Sequence, residues 1–210
     1  MGNIYSPVLP FIRGDAMSDL QDFHDEAPRF EIRCVDLDHW GEVRDLHTFV
    51  FRRLTAPPLE SGQRAAIITH IQEPEYTLTL QTHDLVAAWF DRHIVGTAGW
   101  VPFDERKSTA RIASVCVSPL FRRLGVGRRL VEAIEERATL AGFHNFTVRV
   151  FPPYTGFFET LGYARSSQGV QSFGAQNDLP VVFMRKGDIS VETLDLCSEA
   201  VGAPAGEPKR

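Results

Sequence analysis

The chain has 210 residues, of which 43% are hydrophobic and 23% are charged, so one ordinary domain can bury a complete core. Its net charge of −5 argues against general nucleic-acid binding, because proteins that grip a phosphate backbone usually carry a basic face. No apolar run approaches the length of a membrane span, so no membrane partner is expected.

Cysteine and histidine usage bears on the redox compartment and on metals. The three cysteines are odd in number and far apart in the sequence, which favours neither a disulfide framework nor a zinc site and indicates the reducing cytoplasm. The seven histidines are scattered without metal-binding spacing, so we expect no metal cofactor.

The first elements are predicted from local pattern. Residues 1–28 are irregular and rich in Pro, Gly and Asp, and we expect a flexible arm there. Apolar and charged residues then alternate over residues 29–37, which is the period of a half-buried strand. Asp38 is expected to cap a helix that ends at Pro57-Pro58, and a second helix is predicted over residues 62–71.

A hairpin and a strand lead into the most informative stretch. Residues 85–90 and 93–101 flank a short turn and predict the hairpin, and residues 111–117 predict the next strand, which stops at Pro119. An amphipathic pattern that begins at Val126 predicts a long helix. The order is therefore strand, loop and helix.

The loop in this stretch has the character of an anion site. Gly125 and Gly127 precede the helix, and glycines there let backbone N–H groups converge at the positive end of the helix dipole. The spacing is not the dinucleotide fingerprint, because Leu130 stands where a third glycine is needed. Guanidinium groups suit phosphate oxygens, so we interpret the loop as a pyrophosphate site. Four arginines crowd it: Arg122, Arg123, Arg128 and Arg129.

The later elements follow from the same criteria. Gly142 is expected to end the long helix, and residues 146–150 to form a buried strand. A short helix is predicted to open at Pro152-Pro153. Residues 163–173 and 181–185 then predict a closing antiparallel pair.

Three stretches together resemble the GNAT superfamily of acetyl-coenzyme A dependent N-acetyltransferases. The loop at Arg122, Gly125 and Gly127 is similar to the family's Arg/Gln-x-x-Gly-x-Gly/Ala motif. Upstream, residues 91–100 resemble the family's second hairpin, and downstream residues 157–163 resemble its aromatic-rich signature. Because the three signals occur in the right order, the resemblance is specific.

The resemblance implies a fold and domain limits. It implies an α/β fold of the α+β kind, with a mixed, mostly antiparallel sheet of six or seven strands flanked by about four helices. A GNAT N-acetyltransferase domain would occupy residues 29–187, between the arm and a tail at residues 188–210. Homodimers are frequent in that family, so the resemblance also raises a homodimer.

The resemblance implies acetyl-CoA as cosubstrate and a primary amine of a small molecule or protein as acceptor. The diphosphate would lie on the loop amides, and the pantetheine arm would lie beside the preceding strand like an added strand. The cofactor-binding residues implied are Val115, Cys116, Val117, Arg122, Arg123, Leu124, Gly125, Val126, Gly127, Arg128, Phe151 and Phe158.

Direct transfer requires an acid that protonates the leaving thiolate. The family usually supplies it as a tyrosine from the short late helix, but here Phe158 stands in that place and has no proton to give. Tyr154 lies four residues earlier, on the same helical face. It is the candidate general acid, and the alternative is that Tyr154 only packs at the helix entrance.

The general base is open. Where relatives carry a glutamate, this chain has Arg111 and Phe146. His144, an ordered water chain and a base on the substrate side are the alternatives. Cys116 is a free cysteine in an apolar strand and is expected to belong to the core, not to form an acyl-enzyme.

Two functions remain. The first is an N-acetyltransferase that works by direct attack of the amine, and the second is a catalytically degenerate acyl-CoA-binding sensor or interaction module on the same fold. The complete phosphate loop favours the enzyme, because direct transfer depends more on positioning than on any single acid or base. Four acidic residues near the presumed acceptor side hint at a cationic amine: Glu60, Glu73, Glu75 and Asp84.

Overall fold

The computed structural model describes residues 29–55, 57–103, 108–174 and 177–187. The predictions of an arm at residues 1–28 and of a tail at residues 188–210 lie outside the described residues. The strands are β1 (Glu31–Cys34), β2 (Asp84–Phe90), β3 (His93–Pro102), β4 (Thr109–Val117), β5 (Asn145–Val150), β6 (Ala164–Ser172) and β7 (Asp178–Lys186). The α-helices are α1 (Trp40–Arg52), α2 (Ser61–Gln72), α3 (Pro74–Thr82), α4 (Val126–Leu140) and α5 (Thr155–Glu159).

Within the described residues, seven strands form one sheet in the spatial order β1-β2-β3-β4-β5-β7-β6. Neighbouring strands are antiparallel except for β4 and β5, which run parallel. The predicted mixed α/β architecture is therefore confirmed. None of the described helices combines the length and the apolar character needed to cross a membrane.

Helices cover both faces of the sheet. Apolar residues recur every three or four positions along α4, so Leu130 and Ile134 are fully buried against the central strands. On the other face, Val43 and Leu46 from α1 and Leu80 from α3 pack against β2. The core thus consists of two layers with the sheet between them.

Two details at the first helices differ from the predictions. Asp36, and not Asp38, supplies the cap, because its side chain accepts a hydrogen bond from the Asp38 N–H at 3.3 Å in a 3-10 turn ahead of α1. Pro74 lies beyond α2, but it also opens α3, a helix that the sequence did not reveal. Proline suits a first helical turn because the N–H that it lacks would have no helical partner there.

The parallel strands β4 and β5 are paired along only the first part of their length. β4 and β5 pair from Thr109 opposite Asn145 to Ile112 opposite Val148, and the pairing goes no further. Just beyond, Ser114 has a φ of 54°, a left-handed conformation that is uncommon outside glycine, and the β3–β4 register shifts there. Such a bulge bends a strand, so β4 curves away from β5 and leaves a gap between them.

A partly buried carboxylate connects α4 to the far edge of the sheet. Glu135 Oε1 accepts a hydrogen bond from the Tyr163 hydroxyl at 2.7 Å, and Lys186 Nζ lies 2.6 Å from Glu135 Oε2. Burial and the Glu135 charge both raise the pKa of Tyr163, so its hydroxyl stays protonated and donates.

We expect Tyr163→Phe to lower the free energy of unfolding by about 2 kcal/mol, because a partly desolvated carboxylate loses one of its two donors. The phenylalanine ring fills the same space, so no cavity term is added. Urea unfolding followed by circular dichroism measures the change. An unchanged midpoint would contradict this account of the contact.

Candidate active site

A cleft of about 840 Å³ opens where β4 and β5 separate. Helices α1, α2 and α3 contribute one wall, and the loop after β4 together with the turn after β5 contributes the other. This volume lies within the usual range of small-molecule sites. The bent edge of β4 runs along its floor, with Val115, Cys116 and Val117 among the lining residues.

The loop between β4 and α4 presents backbone N–H groups to the cleft. The chain turns through left-handed conformations at Arg123, with φ 64°, and Gly125, with φ 80°. The N–H of Arg129 donates to the Gly125 carbonyl at 3.1 Å, which closes the first turn of α4. The amides of residues 126–128 therefore have no partner inside the helix, and they lie at the positive end of its dipole.

The two glycines of the loop are required for different reasons. Gly125 needs its freedom of φ, since a Cβ there would meet no atom within 4 Å but would sit on a left-handed residue. At Gly127, a Cβ would stand 3.3 Å from Phe157 Cζ and 3.7 Å from Val117 Cγ2. Gly127 therefore lets the start of α4 approach α5 and the end of β4 closely.

The charged side chains that line the cleft, within the described part of the chain, are arginines. Three of them lie beside the loop, namely Arg122, Arg123 and Arg128. Arg129 is exposed to solvent and does not line the cleft. Among the described residues, no aspartate or glutamate lines the cleft. Arg128 pairs with Glu132 only at 3.6 Å on the exposed helix surface, a contact of little energetic weight, so its charge is available to an anion.

Most of the predicted binding residues meet at this cleft. Leu124 is the exception, because it does not line the cleft and its side chain is exposed to solvent. The predicted residues that do line the cleft are Val115, Cys116, Val117, Arg122, Arg123, Gly125, Val126, Gly127, Arg128, Phe151 and Phe158.

His144 is not part of the cleft. It is exposed in the turn between α4 and β5, at the start of a strand whose opposite end, from Val148 onward, forms the wall. The four steps from His144 to Val148 extend about 13 Å along a strand. His144 therefore lies at the end of β5 away from the cleft, and the structure gives its assignment as a base no support.

Tyr154 faces the cleft from the 3-10 turn after β5. Burial raises the pKa of Tyr154, and the nearby Arg122 guanidinium opposes the rise. A phenol whose pKa is raised keeps its proton at neutral pH and can donate it. Phe158 instead belongs to the aromatic wall, with its ring 5.0 Å from that of Phe157 and 5.4 Å from that of Tyr163.

Cys116 lines the cleft, as do Tyr76 and Tyr154. Burial raises the pKa of its thiol to about 12, so the thiol is protonated at neutral pH and is a poor nucleophile. Tyr76 and Tyr154 reach the cleft from different elements, α3 and the turn after β5, and Tyr76 packs against the buried cluster that contains Cys116. Cys116 is thus a wall residue of the cleft and not its nucleophile.

His47 and Tyr76 are cleft residues that the sequence did not reveal. His47 lies on α1 with only 1% of its surface exposed. Its Nδ1 is 2.7 Å from the Tyr76 hydroxyl and its Nε2 is 2.8 Å from Thr97 Oγ1. The sequence held one clue to His47, which is a histidine on the apolar face of a predicted helix. It held none to Tyr76, because α3 was not predicted.

The first three helices together with β5 and β6 line the rest of the cleft with mainly apolar side chains and two polar ones. Among the described residues, the buried Gln171 Oε1 on β6 has no hydrogen-bond partner, and Arg149 on β5, which is partly exposed to solvent, has neither an ion pair nor a hydrogen bond. Burial and the like charge of Arg111 both lower the pKa of Arg149. The apolar side chains here are Val50, Phe51, Leu54, Ile67, Ile71 and Phe173.

The acidic residues that hinted at a cationic acceptor do not reach the cleft. Asp84 instead accepts hydrogen bonds from Arg137 at 2.6 Å and from the Trp100 indole at 3.0 Å, on the α4 side of the sheet. Glu60, Glu73 and Glu75 are exposed to solvent. In the part of the chain that the structure describes, no three His, Cys, Asp or Glu side chains are grouped to hold a metal ion.

Residues 40–163 match the model of the Acetyltransferase (GNAT) family. The "Putative acetyltransferase" of Bacillus subtilis (strain 168) is 29% identical over 82 residues, which are 39% of this chain and 53% of that protein. The chain thus spans about half of the length of this curated relative.

Solved structures share the fold at low sequence identity. A GCN5-related N-acetyltransferase from Rhodopseudomonas palustris aligns with TM-score 0.66 and 19% identity over 78% of this chain and 99% of that one. The PaiA N-acetyltransferase of Thermoplasma acidophilum in complex with coenzyme A aligns with TM-score 0.62 and 12% identity over 76% of this chain and 99% of that one. YncA of Salmonella typhimurium, a putative acetyltransferase with its cofactor acetyl-CoA, aligns with TM-score 0.55 and 17% identity over 77% of this chain and 95% of that one.

The raised pKa of Cys116 predicts a slow reaction with alkylating reagents in the folded protein. Iodoacetamide at pH 8 should label the exposed Cys34 at least about a hundredfold faster than Cys116, because the thiolate is the reacting species. Peptide mapping by mass spectrometry measures both rates, and urea should equalise them. Equal labelling in the folded protein would show that the Cys116 thiol is not protected by burial.

Proposed function

The chain belongs to the GNAT acetyltransferase family, and we propose that it transfers an acetyl group from acetyl-CoA to a primary amine by direct attack. The observation that carries this proposal is the loop at the start of α4, where three amides without helical partners and three arginines face one cleft. Such a helix start binds phosphate groups. Two solved proteins of this fold hold coenzyme A or acetyl-CoA, which supports acetyl-CoA as the cosubstrate.

The proposal assigns a place to each part of acetyl-CoA. The amides of residues 126–128, with Arg122 and Arg128, would hold the diphosphate. The β4 edge beyond Ile112 has no β5 partner, so it can bond the pantetheine amides as an added strand would. The thioester would then lie near Cys116, between the two tyrosines.

Within this arrangement Tyr154 is the proposed general acid. Its hydroxyl lines the cleft, keeps its proton at neutral pH and lies near Arg122, whose charge would stabilise the phenolate that remains after the proton is given up. Phe158 contributes an apolar surface at the position where relatives carry the tyrosine. The general acid would thus lie one helical turn before the position that it occupies in relatives.

The cleft walls also indicate the kind of amine. With no carboxylate among the described lining residues, a polycation would meet only like charge and would lose hydration without compensation. The apolar wall of α1 and α2 suits an alkyl or aryl body. Among the described residues no carboxylate pairs with Arg149, so its guanidinium suits a carboxylate of the acceptor. We therefore propose a small amine with an apolar body and a neutral or anionic remainder.

The same proposal includes the limits of the domain, its cellular location and its oligomeric state. We propose that residues 29–187 make up the catalytic domain, between an arm at residues 1–28 and a tail at residues 188–210. We also propose a cytoplasmic location, in keeping with the cysteine usage, and a homodimer by analogy with the family. Gel filtration at micromolar concentration tests the dimer.

A catalytically silent acyl-CoA sensor is the second candidate. The loss of the usual tyrosine at Phe158 favours it. The two candidates differ in one observable, because a sensor binds acetyl-CoA without releasing thiol in the presence of any amine. The enzyme is preferred, since a protonated Tyr154 is at hand in the same cleft.

We expect Gly125→Val to weaken acetyl-CoA binding at least about tenfold, since a β-branched residue is strained at φ 80° and the loop amides would turn away. Calorimetric titration measures the affinity. Gly41→Ala, on an open face of α1, is the matched control and should leave the affinity unchanged. Equal affinity in the Gly125 variant would remove the loop from the binding site.

We expect thiol release from acetyl-CoA to be at least about tenfold faster with phenylalanine or 2-phenylethylamine than with spermidine. Arg149→Gln should slow the reaction of phenylalanine by about tenfold and leave that of 2-phenylethylamine unchanged, because only phenylalanine carries a carboxylate. A thiol-trapping chromophore follows both reactions. Preference for spermidine would overturn the assignment of the acceptor.

A further inference from the structure

We propose that Tyr76, held in position by His47, accepts the proton of the attacking amine. This inference rests on the acetyl transfer proposed above and supplies the base that the sequence left open. It assigns the two cleft residues that neither the motif nor the family likeness identified. Tyr76 is the catalytic group, because it would touch the amine, and His47 is a positioning residue that acts through it.

The donor and acceptor roles in the hydrogen bonds around His47 can be assigned in only one way. The Ser114 carbonyl can only accept, so the Thr97 hydroxyl must donate to it at 2.9 Å. Thr97 Oγ1 has then spent its proton and can only accept from His47 Nε2 at 2.8 Å. The neutral imidazole therefore carries its proton on Nε2, and its Nδ1 lone pair faces the Tyr76 hydroxyl at 2.7 Å. Tyr76 donates to His47.

This direction decides what Tyr76 offers to the cleft. Its only proton points at His47, so the oxygen lone pairs are left for a donor on the cleft side. An attacking amine is such a donor. Tyr76 also packs against the cluster that contains Cys116, beside the proposed position of the thioester, and Tyr154 lines the same cleft. The acceptor of one proton and the donor of another thus share one cleft.

Burial keeps the His47 ring neutral. Burial lowers the pKa of His47 to about 4, so its Nδ1 is unprotonated above about pH 5. Besides Tyr76 from α3, two titratable side chains of the described residues surround His47 and Tyr76. These are His70 from α2, whose ring is 5.4 Å from that of Tyr76, and Cys116 from β4. Burial also raises the pKa of Tyr76, so Tyr76 cannot act alone as a phenolate.

The proposed step moves one proton from the amine nitrogen to the thioester sulfur. The amine lone pair forms the C–N bond to the thioester carbonyl carbon, the C–S bond breaks, and its electron pair leaves on sulfur. The acidified nitrogen gives a proton to Tyr76 oxygen as the Tyr76 proton passes to His47 Nδ1, and Tyr154 protonates sulfur. After release, His47 returns its proton through Tyr76 to water and Tyr154 regains one, so one proton has moved from nitrogen to sulfur.

The test compares Tyr76→Phe with Tyr163→Phe, a matched loss of a buried tyrosine hydroxyl outside the cleft. The amine with the fastest thiol release from wild type is used. Tyr76→Phe should lower kcat by about a hundredfold with the KM for acetyl-CoA unchanged. Its kcat should rise with the concentration of an added base, imidazole buffer at constant pH, whereas wild type and Tyr163→Phe show no such rise.

His47→Gln should reproduce the loss and the response to imidazole, since the side-chain amide can fill the space but cannot take the proton. A kcat within about threefold of wild type in Tyr76→Phe, without response to imidazole, would overturn the relay. Failure of the proposed function would show itself differently. In that case wild type would release no thiol with any amine, whereas failure of the relay alone appears only in the variants.

Nitrogen-15 NMR of labelled histidine tests the direction of the hydrogen bonds without any acceptor. We expect His47 to be the Nε2–H tautomer, with the Nδ1 resonance moving towards that of a free lone pair in Tyr76→Phe. The Nδ1–H tautomer in wild type would overturn the relay, because Tyr76 would then accept from His47 and have its proton directed elsewhere.

Discussion

The separation of β4 from β5 beyond Ile112 and Val148 is the constraint on which the rest of the site depends. The left-handed Ser114 bends β4 at this point, so two strands that start as paired neighbours become the two sides of a cleft. The same bulge turns the Ser114 carbonyl towards Thr97. One local distortion therefore both opens the cleft and anchors the hydrogen bonds that orient His47 and Tyr76.

Charge and polarity are graded along the cleft. The loop at one end concentrates arginines and unpaired amides, which favour a diphosphate. Cys116 and two protonated tyrosines also line the cleft, and these groups are neutral until a reaction places charge beside them. The wall of α1 and α2 is apolar. A long cosubstrate and a small amine are therefore expected to meet where the protein itself is uncharged.

The sequence predicted the parts of the structure that depend on local pattern. The loop at Gly125, the long α4 and the hairpin before β4 are encoded in neighbouring residues, and the structure confirms them. The relation of His47 to Tyr76 is not encoded in this way, because it joins residues 29 positions apart through a helix with little amphipathic pattern. The sequence also could not place His144, since proximity in sequence to a wall strand does not say which end of that strand reaches the cleft.

A crystal structure of the protein with coenzyme A tests the central claim most directly. The account predicts the diphosphate on the amides of residues 126–128, the pantetheine arm along the free edge of β4, and the sulfur within hydrogen-bonding distance of the Tyr154 hydroxyl. Coenzyme A bound with its diphosphate away from this loop, or with its sulfur remote from both Tyr154 and Tyr76, would contradict it.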